Sequence, residues 1–376
     1  ARPWLDYADS IIPKRLTCGL PFDLIRLPKS KRKALPDGML YGPMAFILSA
    51  LDGEKTLKRA ICEAAWENHA DLSEQAIKRY IDAVLYLAEA GYLSVQHKKM
   101  INHDSIVSAL KNLGIKNGDI LLVHGALSQV GYVEGGADTV IDALLEAVGK
   151  EGTILMPAFT RPYIAFEGMC NKKRDYRPFS AEDKEHISTG TLAKTLLQRK
   201  NMRRSAHATH SWCGVGAKAE ECLREHALLD SPASAKSPMA VAHKLGGKVL
   251  FFGCDMTCNT FLHFLEDQSE APFLQNAVIK VRGADGNLHT EVIKNHLPGD
   301  RDFYHSPAAE RKFYRRAMAR GLKIEQEDLG MGILRVIELQ SLYRIGMELF
   351  AEDPFVTLCD NYDCTWCRKF FKPTEK

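Results

Sequence analysis

No apolar run in the 376 residues approaches the ~18 that a membrane-crossing helix requires, and the start, ARPWLDYADS, lacks a basic region followed by an apolar stretch. A membrane role is excluded on this reading, and a soluble, cytoplasmic protein is expected. Charge of one sign is missing too: 50 Lys plus Arg stand against 47 Asp plus Glu, so a net charge of +3 gives no bulk attraction for nucleic acid. Any anionic ligand must be held locally. Ten cysteines are too few and too irregularly spaced for a secreted disulfide scaffold, so reduced thiols are expected. Only Cys359, Cys364 and Cys367 crowd together, like half a zinc site without a fourth ligand; an unstructured or packed tail is the other reading. There is no internal repeat and no low-complexity segment. The phosphate-binding fingerprints also fail, because LLVHGALSQVGYVEGG at 121–136 has neither the Lys-Ser/Thr of a P-loop nor the dinucleotide glycine spacing.

What is present divides the chain into four stretches. Residues 1–35 mix prolines, aromatics and basic residues without a period and read as an extended leader. Residues 36–100 carry three helical periods, Met44–Leu51, Thr56–Asn68 and Ser73–Ala90, with Thr56 and Ser73 as N-caps, Gly91 as a stop and YLSVQ as a strand. Three helices and a strand outline a small winged-helix unit. Its helices lack a basic recognition face, which speaks against DNA binding. From about 101 to 355, strands at 119–124, 152–159 and 247–253 alternate with helices at 139–148, 190–199, 217–226 and 238–245, the pattern of a layered α/β fold. A hairpin turning at Ala284–Asp285–Gly286–Asn287 and a helix from about Ser306 follow, and residues 356–376 form a cysteine-containing tail.

Several groups here carry chemistry. The strand ending at His124 runs into the small-residue corner Gly125–Ala126, where backbone N–H groups can face a pyrophosphate or a thioester arm; a tight connection without ligand is the alternative. His207 and His210 share the loop MRRSAHATHSW, and NTFLHFLEDQ sets His263 and Glu266 three apart on one helical face. Amide-forming acyl transfer needs such groups: the amine must lose a proton near neutral pH, and a carboxylate can orient an imidazole or hold a cationic substrate. Cys254 and Cys258 offer a rival route through an acylated thiolate. A basic run at Asn171–Arg174 with Arg177 reads as a solvated loop or as a contact for adenosine phosphates.

The blocks GDILLVHGALSQVGYVEGG…TILMPAF, STGTLAKTL, RRSAHATHSWCGVG, DSPASAKSPMAVAHKLGGKVLFFG, CNTFLHFLED, RDFYHS and AEDPFVTLC resemble, in order over about 250 residues, the aminoglycoside 3-N-acetyltransferase family. The resemblance implies an antibiotic N-acetyltransferase fold rather than a GNAT fold, acetyl-coenzyme A as cosubstrate, and direct transfer to an amine. It implies His124, Gly125, Ala126, Leu127, Ser128, Thr191 and Ser211 as coenzyme contacts, with the thioester near Gly125–Leu127. It implies His210 as general base, His263 and Glu266 as further catalytic groups on the acceptor side, and His207, Asn259 and Thr260 as substrate contacts. The chain departs from the family where Gly125 and Ala126 replace two serines, Ala208 replaces a proline, and Ala206 replaces an acid found in some members. Residues 35–97 resemble the small PqqD-like peptide-recognition domains, which suggests a bulkier acceptor such as a peptide- or carrier-linked amine, and a homodimer is compatible with such a unit. The alternatives are a catalytically silent protein that keeps the acyltransferase shape and holds a partner, and a DNA-binding regulator that senses acyl-coenzyme A.

Overall fold

The computed structural model describes residues 2–16, 30, 42–97, 101–160, 164–166, 184–282, 285–296, 311–361 and 363–364. The chain forms two compact units, Ala1–Ile101 and Asn102–Lys376.

In the first unit, α1 (Arg2–Asp9), β1 (Ile11–Arg15), α2 (Pro43–Ser49), α3 (Leu57–Asn68), α4 (Glu74–Glu89) and β2 (Leu93–His97) surround one apolar core. Thr56 and Ser73 accept the N–H groups of Arg59 and Ala76, so both caps lie where the sequence puts them. The beginning of the chain differs from the expected leader. Pro3 sits in the first turn of α1, where its missing N–H costs nothing. β1 pairs antiparallel with β2, and Ala8 and Ile11 are fully buried, so residues 2–15 belong to this unit.

The second unit opens with α5 (His103–Asn112), whose Asn102 and Ser105 exchange backbone and side-chain bonds in a capping box. Then follow β3 (Ile120–Gly125), α6 (Leu127–Val130), α7 (Gly136–Val148), β4 (Thr153–Pro157), β5 (Ile164–Phe166), α8 (Thr191–Leu197), β6 (Arg203–Arg204), β7 (Trp212–Gly216), α9 (Ala219–Leu223), α10 (Pro238–Lys244) and β8 (Lys248–Phe252). The remainder is α11 (Phe261–Gln268), β9 (Leu274–Arg282), β10 (Leu288–His296), α12 (Lys312–Ala319), β11 (Glu325–Leu329), β12 (Gly332–Glu338) and α13 (Leu339–Glu352). The expected helix start near Ser306 lies outside the described residues, and α12 begins at Lys312. Seven strands form a mixed sheet in the order β11-β12-β8-β3-β4-β7-β6, and β10-β9-β5 form a separate antiparallel sheet. Only β3 pairs in parallel, with β4 on one side and β8 on the other. These three strands are covered on both faces, which is why they read as unbroken apolar runs.

Parallel strands bring their C-terminal ends to one edge, and loops gathered there build sites in open α/β sheets. His124 and Gly125 end β3, Phe252 ends β8, and Pro157 leads from β4 to Phe159. A cavity of about 560 Å³ lies instead at the opposite end of β8, beside Lys248, Lys323, Glu325 and Glu338. There the Lys248 ammonium is already held by Asp119 at 2.8 Å and the Gly114 carbonyl at 3.0 Å, and no catalytic grouping lines the space.

One backbone position in this sheet tolerates no side chain. Gly216 at the end of β7 has φ +130°, and a Cβ there would run into the Gly152 carbonyl oxygen and Thr153 Cα, both backbone atoms of the neighbouring strand region. Gly216→Ala is expected to destabilise the protein by about 3 kcal/mol, from backbone strain plus overpacking. Thermal unfolding checks this; an unchanged midpoint would mean that the β4–β7 edge shifts freely.

Candidate active site

α11 places the central pair of groups. Asp255 caps the turn at Met256–Cys258 by accepting the Thr257 N–H, and Thr260 leads into α11, which presents His263 and Glu266 one turn apart. The Glu266 carboxylate is buried, with 1% exposure, yet its oxygens are met from three directions. His263 Nδ1 lies 2.8 Å from Oε2, His296 Nδ1 lies 3.5 Å from the same oxygen, and the Thr357 hydroxyl donates to Oε1 at 3.2 Å. A hydrogen bond from Nδ1–H to the carboxylate fixes the imidazole tautomer and makes Nε2 the basic nitrogen. His263 is 22% exposed, so its ring reaches toward solvent while the carboxylate behind it does not. Sequence reasoning missed His296 and Thr357. They arrive from the end of β10 and from the segment after α13, and no local spacing relates them to α11.

The loop between β6 and β7 is also rich in histidine but serves a different purpose. His207 is fully buried: its Nδ1 accepts the N–H groups of His210 (3.0 Å) and Thr209 (3.2 Å), and its Nε2 donates to the Asp230 carbonyl (2.8 Å). Both ring nitrogens are engaged with backbone, which braces the loop. His226 stacks on it at 4.6 Å, with Nδ1 3.1 Å from the Ser205 hydroxyl. Ala208, at the family's proline position, donates its N–H to the Leu228 carbonyl at 3.2 Å, a bond that proline cannot make. Ser211 is wholly buried, donates to the Ala158 carbonyl at 2.7 Å and accepts from Arg204 Nε.

His210 is the second histidine of this loop. Its Nδ1 lies 2.6 Å from the Thr209 hydroxyl and its ring stands edge-on to Phe159 at 4.6 Å. Burial, with His207, His263 and His226 nearby, holds its pKa well below the ordinary histidine value of 6.5. Among the described residues, no carboxylate is hydrogen-bonded to this ring, whereas His263 has the Glu266 carboxylate at 2.8 Å.

The remaining expected residues fall into two groups. His124 is buried, stacked on Phe251 at 5.8 Å, with Nε2 3.3 Å from the Thr260 hydroxyl, and burial lowers its pKa to about 4. Asn259 is buried between the Tyr314 hydroxyl and the Phe261 N–H. Both side chains are engaged within the protein. The Ala126 N–H is committed to the Phe252 carbonyl at 2.9 Å and is not available to a thioester. Gly125 and Ser128 are exposed, Leu127 and Thr260 half-buried, and Thr191 exposed at the start of α8. A Cβ on Gly125 would meet Leu192, so the bend lies tight against α8 and presents backbone in place of side chains.

The thiols give no support to a covalent route. Cys258 Sγ lies 2.9 Å from the Asp255 carbonyl and 3.2 Å from Cys254 Sγ, and this contact with burial pushes its pKa far up, against thiolate formation. In the tail, Cys364 is buried and Cys359 packs against the same core, while Cys367 lies outside the described residues. The basic run at 171–174 and Arg177 also lie outside them.

The buried neutral histidines have a cost in acid. Burial lowers His124 and His207 to about 4 and His226 to about 3. An unfolded chain takes up these protons below about pH 6.5, whereas the fold does not, so stability present above that pH is lost as pH falls toward 4. Each fully buried imidazole then removes about 2 kcal/mol at pH 5. The thermal midpoint is expected to fall steadily from pH 7 to pH 5, before carboxylates titrate; a flat profile would contradict the neutral burial.

Comparison with known proteins agrees with this architecture. The profile of the aminoglycoside 3-N-acetyltransferase family matches residues 122–351, more than half of the chain. Aminoglycoside N(3)-acetyltransferase III of Salmonella sp is 36% identical over 180 residues, covering 46% of this chain and 63% of that protein, so the chain spans less than two thirds of this relative's length. The crystal structure of aminoglycoside acetyltransferase AAC(3)-IIb is similar with a TM-score of 0.59 at 27% identity, over 68% of this chain and 98% of that one. The AAC-IIIb binary complex with CoASH shares the fold, with a TM-score of 0.58 at 24% identity over 68% and 97% of the two chains. No helix among the described residues is long and apolar enough to cross a membrane. With the mixed sheet, the bend after its first parallel strand and the family profile in agreement, the chain belongs to the aminoglycoside 3-N-acetyltransferase family.

Proposed function

We propose that the protein transfers an acetyl group from acetyl-coenzyme A to an amine of an amino sugar or a related small molecule. The observation that carries this reading is the 2.8 Å contact between His263 Nδ1 and the buried Glu266 carboxylate. A catalytically silent scaffold gives no reason to bury a carboxylate behind a partly exposed imidazole. The names of the relatives supply the substrate class, and the CoASH complex of a structural neighbour supplies the donor.

The bend fits a coenzyme arm, because Gly125, Leu127 and Ser128 offer approachable backbone beside exposed Thr191. When bound there, the coenzyme supplies an acetyl group activated as a thioester. The chain's own residues do the rest. His263 takes the proton of the attacking amine at Nε2, and Glu266 stabilises the resulting imidazolium through Nδ1–H. Thr260 and His124, bonded to one another at 3.3 Å, tie the start of α11 to the end of β3, so base and bend keep one spacing. His210 and Phe159 form a wall beside the base. We read residues 1–101 as a winged-helix unit that extends the acceptor range to peptide- or carrier-linked amines, in a cytoplasmic, homodimeric enzyme.

Release of free thiol from acetyl-coenzyme A with a panel of amino sugars tests the proposal. His263→Ala is expected to lower kcat by about 100- to 10,000-fold and Glu266→Gln by about 100-fold, the range for a general base and its orienting acid. His210→Ala is expected to stay within about tenfold of the parent, since it removes only packing beside the base. Wild-type turnover by His263→Ala would remove that residue from the mechanism, and no thiol release with any amine would remove the reaction.

A further inference from the structure

We propose that His263, Glu266 and His296 form a binding site for a divalent transition-metal ion of the zinc type. Nδ1 of His263, Nδ1 of His296 and a carboxylate oxygen of Glu266 lie within 4.8 Å of one another. Bonds of ~2.0–2.1 Å to a tetrahedral zinc ion place neighbouring ligand atoms about 3.3 Å apart. The two separations from Glu266 Oε2, 2.8 Å to His263 and 3.5 Å to His296, straddle that spacing, so shifts of a fraction of an ångström complete the shell.

The surroundings are those of a ligand set. Two imidazoles and one carboxylate suit zinc, cobalt or nickel, whereas magnesium and calcium require oxygen donors. The Thr357 hydroxyl donates to Oε1, which leaves Oε2 directed at both rings and holds the carboxylate as an outer-shell partner does in metal sites. The two rings lie side by side with centroids 4.4 Å apart and an interplanar angle of 31°, and the Nδ1 atoms of both lie within 3.5 Å of the same Glu266 oxygen. Glu266 and His296 are buried and His263 is partly exposed, so the ion reaches the site past His263 and keeps a fourth position for water or an added ligand. On binding, the His263 Nδ1 proton leaves to solvent and its lone pair goes to the ion. The imidazole that holds the substrate proton in the proposed reaction is then bound at its other nitrogen, and the metal inhibits.

Metal-stripped full-length protein titrated with Zn²⁺ against a chromophoric chelator, and with Co²⁺ followed by visible absorption, tests the site. One ion is expected per chain, with tetrahedral cobalt bands and no thiolate charge-transfer band. His296→Gln is expected to weaken binding by at least about tenfold, and Thr357→Val by about tenfold or less. Circular dichroism identifies a variant that fails to fold, in which case Thr357→Val decides. Unchanged affinity in the folded variants, a thiolate band from the cysteine-containing tail, or no binding overturns the proposal. Zinc that binds as expected but leaves acetyl transfer untouched upholds the metal site and instead removes His263 from its role as base, so the two readings fail separately.

Discussion

A carboxylate withdrawn from water must be paired, and the pairing of Glu266 organises the active end of the second unit. Burying an unpaired carboxylate costs several kcal/mol, and removing one partner from a buried pair costs about 3–5 kcal/mol. Here the partners come from α11 itself, from the end of β10 and from the segment after α13. The antiparallel sheet, α11 and the C-terminal segment are therefore joined at one carboxylate. A hydrophobic contact would allow small rotations at this junction. A hydrogen-bonded carboxylate does not, and the His263 ring inherits its orientation from that restriction.

The other histidines show how the same side chain does the opposite work when no carboxylate stands behind it. A neutral imidazole has one donor and one acceptor, which lets His207 close off two backbone N–H groups and one carbonyl inside the β6–β7 loop. Such a ring must stay neutral, and burial keeps it so. His207, His226 and His124 are in this sense structural residues with reactive side chains. The Ala208 N–H to Leu228 follows the same principle: without proline's fixed φ, the loop is held by a hydrogen bond instead.

Much of the fold was readable in the chain because the signals were local. Thr56 and Ser73 sit before helical periods, and β3, β4 and β8 are apolar along most of their length because both faces are covered. Residues 2–15 depart from extended chain for an equally local reason: Pro3 and Pro13 suggest extended chain, although a first-turn proline fits a helix and Ile11 packs in a core formed by residues up to 93. The choice between His210 and His263 was not local. Both occur in short motifs with similar residues, and the i,i+3 spacing of His263 and Glu266 showed only that they share a helical face. What separates them is whether a carboxylate is buried beside the ring, and that depends on Thr357 and His296, distant in sequence. Residue spacing along one element cannot carry that information.

The donor and acceptor halves of the crevice are coupled through a small number of rigid contacts. His124 ends β3, lies flat on Phe251 of β8 and touches Thr260 at the entrance to α11. Ala126 returns its N–H to Phe252 at the end of β8, which fixes the bend onto the same strand. In the proposed reaction, a thioester laid along the bend and an amine facing His263 would approach each other over a floor made from the ends of two paired parallel strands. Bringing reactants to near-attack distance supplies several kcal/mol of a reaction barrier, but only if the supporting frame does not relax. This frame has little room to relax, because each of its polar side chains is bonded across elements and its one flexible-looking segment, Gly125–Ala126, is held from both sides by Leu192 and Phe252. The loss of side-chain hydroxyls at that bend is therefore compatible with catalysis: what the reaction requires of the bend is its position, and position here comes from backbone bonds.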